Sequence, residues 1–135
     1  DFYKQVGYHY ERFESKGYEN LVAHGEALYR SKPEYWNEKL AEGVKWAAEW
    51  SRAANKPLIT TECWSVVDYK DWPLLKWDWV KDLCETGVRT AASTGRWSAI
   101  STSNFCGPKF VGMWRDIEWH HQMTKVIHEA KLPLL

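Results

Sequence analysis

Apolar residues along this chain recur with a period of two in some stretches and near 3.6 in others, which predicts strands alternating with helices. Val6, Tyr8 and Tyr10 alternate with Gln5, Gly7 and His9, so a strand is expected over Phe2 to Tyr10. Glu11 to Lys32 is polar with intermittent apolar residues, and a short helix is expected over Tyr18 to Tyr29. Ser31 and Pro33 are start signals for a helix from about Glu34 to Ala54. On a helical projection Trp36, Leu40, Gly43, Val44, Ala47, Trp50 and Ala54 share one face. Glu38, Glu42, Lys45, Glu49 and Arg52 fall elsewhere, the pattern of a helix docking on a sheet. Asn55 and Lys56 close that helix and Pro57 forbids its continuation.

Leu58, Ile59, Thr60 and Thr61 are branched or apolar residues suited to a buried strand. Ser65 to Trp72 reads as a loop. Pro73 or Leu74 opens a helix through Trp77, Val80, Leu83 and Cys84 toward Gly87, and Val88 to Thr94 can carry it past the glycine. Arg96 to Thr102 is a third strand, with Trp97, Ala99 and Ser101 alternating against Ser98, Ile100 and Thr102. Ser103 to Gly112 is a loop, and a last helix from about Met113 to Lys131 presents Trp119, Met123, Val126, Ile127 and Ala130 on its apolar face. Strand and helix therefore alternate three times without a hairpin signal, which implies an α/β fold with a parallel sheet and right-handed crossovers. Three βα units cannot close a barrel, so the pattern fits a small three-layer domain or the end of a larger one.

The 135 residues suffice for one core and fall well short of a complete eight-unit barrel. Eighteen basic residues balance eighteen acidic ones and the basic residues are scattered, so neither nucleic acid nor a membrane surface is expected as a partner. Cys63, Cys84 and Cys106 form neither a disulfide framework nor a zinc pattern. His121 and His128 share a helix face without an acidic or cysteine partner, so no metal and no cofactor are expected. Ten tryptophans and seven tyrosines change the picture, because aromatics at that density fill a large core or line a pocket for a ligand with apolar faces, as sugar rings have.

Glu62 is the candidate for chemistry. In parallel α/β proteins reactive groups sit at the C-terminal ends of strands, and Glu62 ends the run Lys56-Pro57-Leu58-Ile59-Thr60-Thr61. Trp64 follows two residues later and can share its side of the strand. A structural role for Glu62, pairing with a nearby Lys or Arg, is the alternative.

The run Tyr8-His9-Tyr10, the long helix, Lys-Pro-Leu-Ile-Thr-Thr-Glu at 56–62 and the Trp-led strand at 97 together resemble the last three units of clan A glycoside hydrolases, the (β/α)8 barrels that include the cellulase-like families. The resemblance implies three consecutive βα units of a partial TIM barrel, residues 1–135 forming the C-terminal portion of one catalytic domain. It implies Glu62 as the nucleophile of a retaining glycosidase, with His9 and Tyr10 orienting it or donating hydrogen bonds to it. Trp64 and Trp97 would line the sugar subsite, and Asn104 would reach a ligand hydroxyl. The clan's acid/base Glu follows an Asn at the end of the fourth strand, which this chain lacks. Asn37-Glu38 has that dipeptide but falls within an amphipathic helix, where both residues are expected to face solvent.

The implied partners are a carbohydrate substrate and the remaining N-terminal part of the barrel. An isolated chain of this kind is expected to be inactive and prone to association through open sheet edges. Two rival readings are a non-catalytic, aromatic-rich carbohydrate-binding domain and a small structural α/β domain.

Overall fold

In the computed structural model, residues 15–61, 64, 78–100 and 116–132 are described. Among them the chain forms helix α1 (Ser15–Ser31), helix α2 (Pro33–Ala54), strand β1 (Leu58–Thr60), helix α3 (Asp78–Thr94), strand β2 (Trp97–Ile100) and helix α4 (Ile117–Glu129). The described residues are mostly helical, and β1 and β2 pair in parallel as a two-stranded sheet with α3 between them in sequence. This is one βαβ unit of the expected kind. The strand expected over Phe2 to Tyr10 lies outside the described residues.

Junctions follow local chemistry. Ser31 Oγ donates to the Leu28 carbonyl at 2.7 Å, and Trp36 Nε1 reaches the same oxygen at 3.2 Å, so the end of α1 is satisfied by side chains. Pro33 then opens α2 at a position where a missing N–H costs nothing. Asn55, at φ 51° and ψ 44°, turns the chain out of α2. Its N–H bonds the Arg52 carbonyl, and the Lys56 N–H bonds the Ser51 carbonyl, both at 3.1 Å. The left-handed Gly95 (φ 68°) plays the same part after α3. Asp116 caps α4, accepting the Trp119 N–H at 3.0 Å while holding Lys81 of α3 at 2.5 Å. Those two donors keep its carboxyl below the usual carboxylate range.

Several expectations shift. α1 runs beyond the expected Tyr18 to Tyr29 at both ends, and among its described side chains Tyr29 is the buried one. α4 starts at Ile117 rather than near Met113, since the Asp116 cap fixes the first turn. The face of α2 is rotated from the projected one. Val44, Ala48 and Ser51 are buried, whereas Gly43 meets open space and Trp50 is 57% exposed, with Trp46 at 74% beside it. Asn37 is not solvent-facing either: it sits half-buried between helices, while Glu38 is exposed. In β2 the alternation breaks. Leu58 pairs with Trp97 and Ile59 with Ala99, which leaves Ser98 as an extra residue. Trp97 and Ile100 consequently both pack inward although they differ in parity.

The core has two parts joined through α3. Tyr29, Trp79, Val80, Cys84, Val88, Trp119 and Met123 pack where α1, α3 and α4 meet. Val44, Ala48, Ala91 and Trp97 pack where α2 and α3 cover the sheet. Ile100 and Trp64 touch both clusters. Complete burial of Val80, Val88 and Met123 contributes about 1.5–3 kcal/mol each.

Two polar networks tie the layers together. The Tyr29 hydroxyl donates to the Asp82 carboxylate, Asn37 Nδ2 donates to the Tyr29 oxygen at 2.7 Å, and Thr86 Oγ1 donates to Asn37 Oδ1 at 2.5 Å. That chain of bonds spans α1, α2 and α3. Burial, reinforced by Asp82, pushes the Tyr29 phenol up to about 12. Because the folded value lies above the ordinary one, the associated stability is complete below about pH 10 and is lost as pH rises through about 12. An ultraviolet difference titration should show one tyrosine ionising near that value and disappearing in Tyr29→Phe; a late step that survives the substitution would contradict the assignment.

The second network centres on Arg96, 8% exposed. Its Nε donates to Ser51 Oγ at 2.8 Å, and its Nη2 donates to the carbonyls of Ser51 and Lys56, each at 3.2 Å. Its own carbonyl accepts the Leu58 N–H at 2.8 Å. Arg96→Met removes three hydrogen bonds at once, leaving the Ser51 and Lys56 carbonyls only their other donors, and should lower stability by about 1–3 kcal/mol in urea unfolding. A change within error of zero would show that water replaces the guanidinium there.

Candidate functional site

The site suggested by the sequence is the C-terminal end of β1. β1 ends at Thr60, Thr61 is exposed, and Glu62 follows two residues beyond the strand in sequence. Glu62, His9, Tyr10 and Asn104 lie outside the described residues. Trp64 and Trp97 are described, and the structure brings them together.

β1 presents Leu58 and Thr60 toward the helices and Ile59, 65% exposed, to the other side. Trp97 stands opposite Leu58, at the start of β2, and is 8% exposed. Its ring lies among Val44, Ala48 and Ala91, and its Nε1–H donates to Thr60 Oγ1 at 2.6 Å. The buried indole donor is thereby satisfied by the last residue of the neighbouring strand. Trp64 is half-buried and meets Trp97 edge-on, with ring centroids 6.1 Å apart and planes at 76°. This is the favoured T-shaped arrangement of two aromatic quadrupoles.

Trp64 rests on Gly87 of α3. A Cβ added at Gly87 would come within 2.5 Å of Trp64 Cε3, 2.7 Å of Cδ2 and 2.8 Å of Cβ. Gly87 is therefore interior to α3, which continues through Val88 to Thr94 as the sequence allowed, and it admits an indole against bare backbone. Gly87 and Thr60 are the residues of this region that sequence reasoning did not single out. A signal for Gly87 existed, since the apolar period 80, 84, 88, 91 runs straight through it. Nothing in sequence distinguished Thr60 from Thr61.

An open cleft lined by Tyr29, Arg30, Asp78, Lys81, Asp82 and Glu85, among others, lies at the seam of α1, α3 and α4. Its charges are engaged with one another or with neighbours: Lys81 with Asp116, Arg30 with Glu26 at 2.6 Å, Glu85 with Arg89 at 2.7 Å, and Asp82 with Tyr29. That pairing is what a helix seam needs. His121 and His128 are exposed on α4, and no group of three metal-ligating side chains gathers among the described residues.

A family model described as "Cellulase-like: Sugar-binding cellulase-like" matches residues 1–128, and the chain belongs to that family. Among solved structures, the chain is similar to a protein of Parabacteroides distasonis ATCC 8503 described as a "putative glycoside hydrolase", determined by crystallography at 1.85 Å. The two are 55% identical with a TM-score of 0.84, over 98% of this chain and 35% of that one. This chain thus spans about a third of that protein's length. No curated protein matches it.

Proposed function

We propose that the protein carrying this chain is a retaining glycoside hydrolase, that residues 1–135 form the C-terminal three βα units of its (β/α)8 barrel, and that Glu62 is its nucleophile. The observation that carries this reading is the parallel β1–α3–β2 unit, whose first strand ends two residues before Glu62 in a chain of the cellulase-like family. In barrels of parallel strands the reactive groups occupy that end. The 55% identical relative carries the glycoside hydrolase description over nearly all of this chain. Ile59 adds a physical argument, because it stands on the face of β1 turned away from the helices, which a closed barrel fills with side chains.

In the proposed reaction the Glu62 carboxylate attacks the anomeric carbon while a second carboxylic acid, supplied from outside this chain, protonates the departing oxygen. The glycosyl–Glu62 ester then yields to water, with the second group now acting as base. Glu62 must be ionised to attack, so hydrogen bonds from His9 and Tyr10 to its carboxylate are assigned the task of keeping it so. Trp64 offers the sugar an apolar face, Trp97 supports it from beneath, and Asn104 takes a ligand hydroxyl. The substrate is a carbohydrate with an O-glycosidic bond. The chain by itself, holding one carboxylate of the pair, is inactive. A non-catalytic sugar-binding module is disfavoured by the mostly helical architecture, since such modules are typically β-sandwiches.

Glu62→Gln in the intact protein should lower kcat on aryl β-glycosides by several orders of magnitude while leaving substrate affinity nearly unchanged. Retention of turnover would remove Glu62 from the mechanism. A 2-deoxy-2-fluoro glycoside should trap the enzyme as an ester on the peptide containing Glu62, and labelling elsewhere would reassign the nucleophile.

A further inference from the structure

We propose that Trp97, Thr60 and Gly87 are positioning residues that set the place of the segment carrying Glu62; this rests on Glu62 being the nucleophile. The segment from Thr60 to Trp64 is held at both ends by one indole. Thr60 accepts the Trp97 Nε1–H at 2.6 Å, and Trp64 packs edge-on against the same ring system. Glu62 lies midway in sequence, two residues from either anchor, so each anchor's backbone is at most about 7 Å away at roughly 3.3–3.6 Å per extended residue. A tether that short transmits a displacement of either anchor directly to the residue between them.

Gly87 completes the arrangement. Trp64 occupies the space in which any side chain at position 87 would begin, so the depth at which the indole seats is set by the absence of a methyl group on α3. Trp97 in turn cannot easily move. It is buried among Val44, Ala48 and Ala91, and its neighbours Arg96 and Ser98 bond the carbonyls of Lys56, just before β1, and of Leu58 on it. Arg96, Trp97 and Ser98 thus grip the chain from Lys56 to Thr60, and the contact at Thr60 is a single directional hydrogen bond. Catalytic geometry tolerates little error, because a carboxylate misplaced by about an ångström can lose on the order of a hundredfold in rate.

The test uses the intact protein and an aryl β-cellobioside and aryl β-glucoside as substrates. Thr60→Val deletes the acceptor without changing shape and should lower kcat about tenfold or more with little change in KM. Thr60→Ser keeps the hydroxyl and should recover most of that loss. Trp97→Phe should match Thr60→Val, and the double variant should be no worse than either single one, because one bond is being removed. Gly87→Ala, whose methyl group would meet Trp64 at 2.5–2.8 Å, should lower kcat at an assay temperature where circular dichroism shows the variant fully folded, although its melting temperature falls as well. Should Glu62→Gln abolish turnover while Thr60→Val and Gly87→Ala keep wild-type kcat, the positioning role is wrong and the nucleophile stands. Additive losses in the double variant would likewise overturn it, since Trp97 would then act on substrate directly. If Glu62→Gln keeps turnover, or the wild type cleaves neither substrate, the nucleophile reading fails and the positioning role falls with it.

Discussion

A buried guanidinium, met by no carboxylate among the described residues, organises this part of the chain. Arg96 is desolvated, and its charge is met by carbonyl oxygens at the end of α2 and the start of β1, where the helix terminus presents partial negative charge. An arginine is suited to this because its planar fork can serve several acceptors at once. The arrangement fixes three things together: where α2 stops, where β1 begins, and which residue of β2 stands opposite Leu58. With that register set, Trp97 is carried to Thr60, and the end of β1 acquires a defined position.

The same register explains the bulge. If Trp97 and Ser98 alternated normally, Ser98 and Ile100 would share one face and Trp97 the other. The extra residue on β2 brings both Trp97 and Ile100 to the helix side, so that the two hydrophobic clusters become continuous through Ile100 and Trp64. Ser98 is left exposed, and its hydroxyl is used on the Leu58 carbonyl at 3.2 Å. A disturbed ladder of two short strands is thus compensated by side-chain hydrogen bonds and by burial, which are worth more here than one regular pairing.

Much of this was legible in sequence where a signal is local. Pro33, Asn55 and Pro57 mark the ends of α2, and the apolar stripe of α4 was read to within a turn, because capping and periodicity are written in neighbouring residues. The parallel pairing of β1 with β2 also followed from strand–helix–strand order. What escaped depends on partners distant along the chain. Asn37 looked like an exposed polar residue until Tyr29 and Thr86 converged on it, and Trp50 looked like a core residue until Arg96 and Ser51 fixed the rotation of α2. Of the candidate site, the sequence placed Glu62 after a strand and drew attention to both indoles. It could not show that one of them is packed beneath the other, or that a glycine mid-helix is the seat.

The tryptophans show why aromatic abundance is a poor guide to a binding pocket taken alone. Among the described residues, Trp79 and Trp119 fill the seam of α1, α3 and α4, and Trp36 spends its donor on the end of α1. Trp46 and Trp50 stand exposed on the side of α2 opposite its buried stripe. Trp97 is a core residue whose ring nitrogen works on the next strand. Only Trp64 combines half-burial with a place two residues beyond Glu62. In the sugar-facing role proposed for it, Trp64 would gain from being held from behind, since an indole clamped by Gly87 and Trp97 has surrendered its rotamer freedom before any ligand arrives. Stacking on a pre-ordered ring avoids the ordering cost that a mobile side chain would incur on binding. The argument from composition to function therefore runs through support: an aromatic residue counts toward a site in proportion to how firmly the rest of the fold fixes it at a strand end.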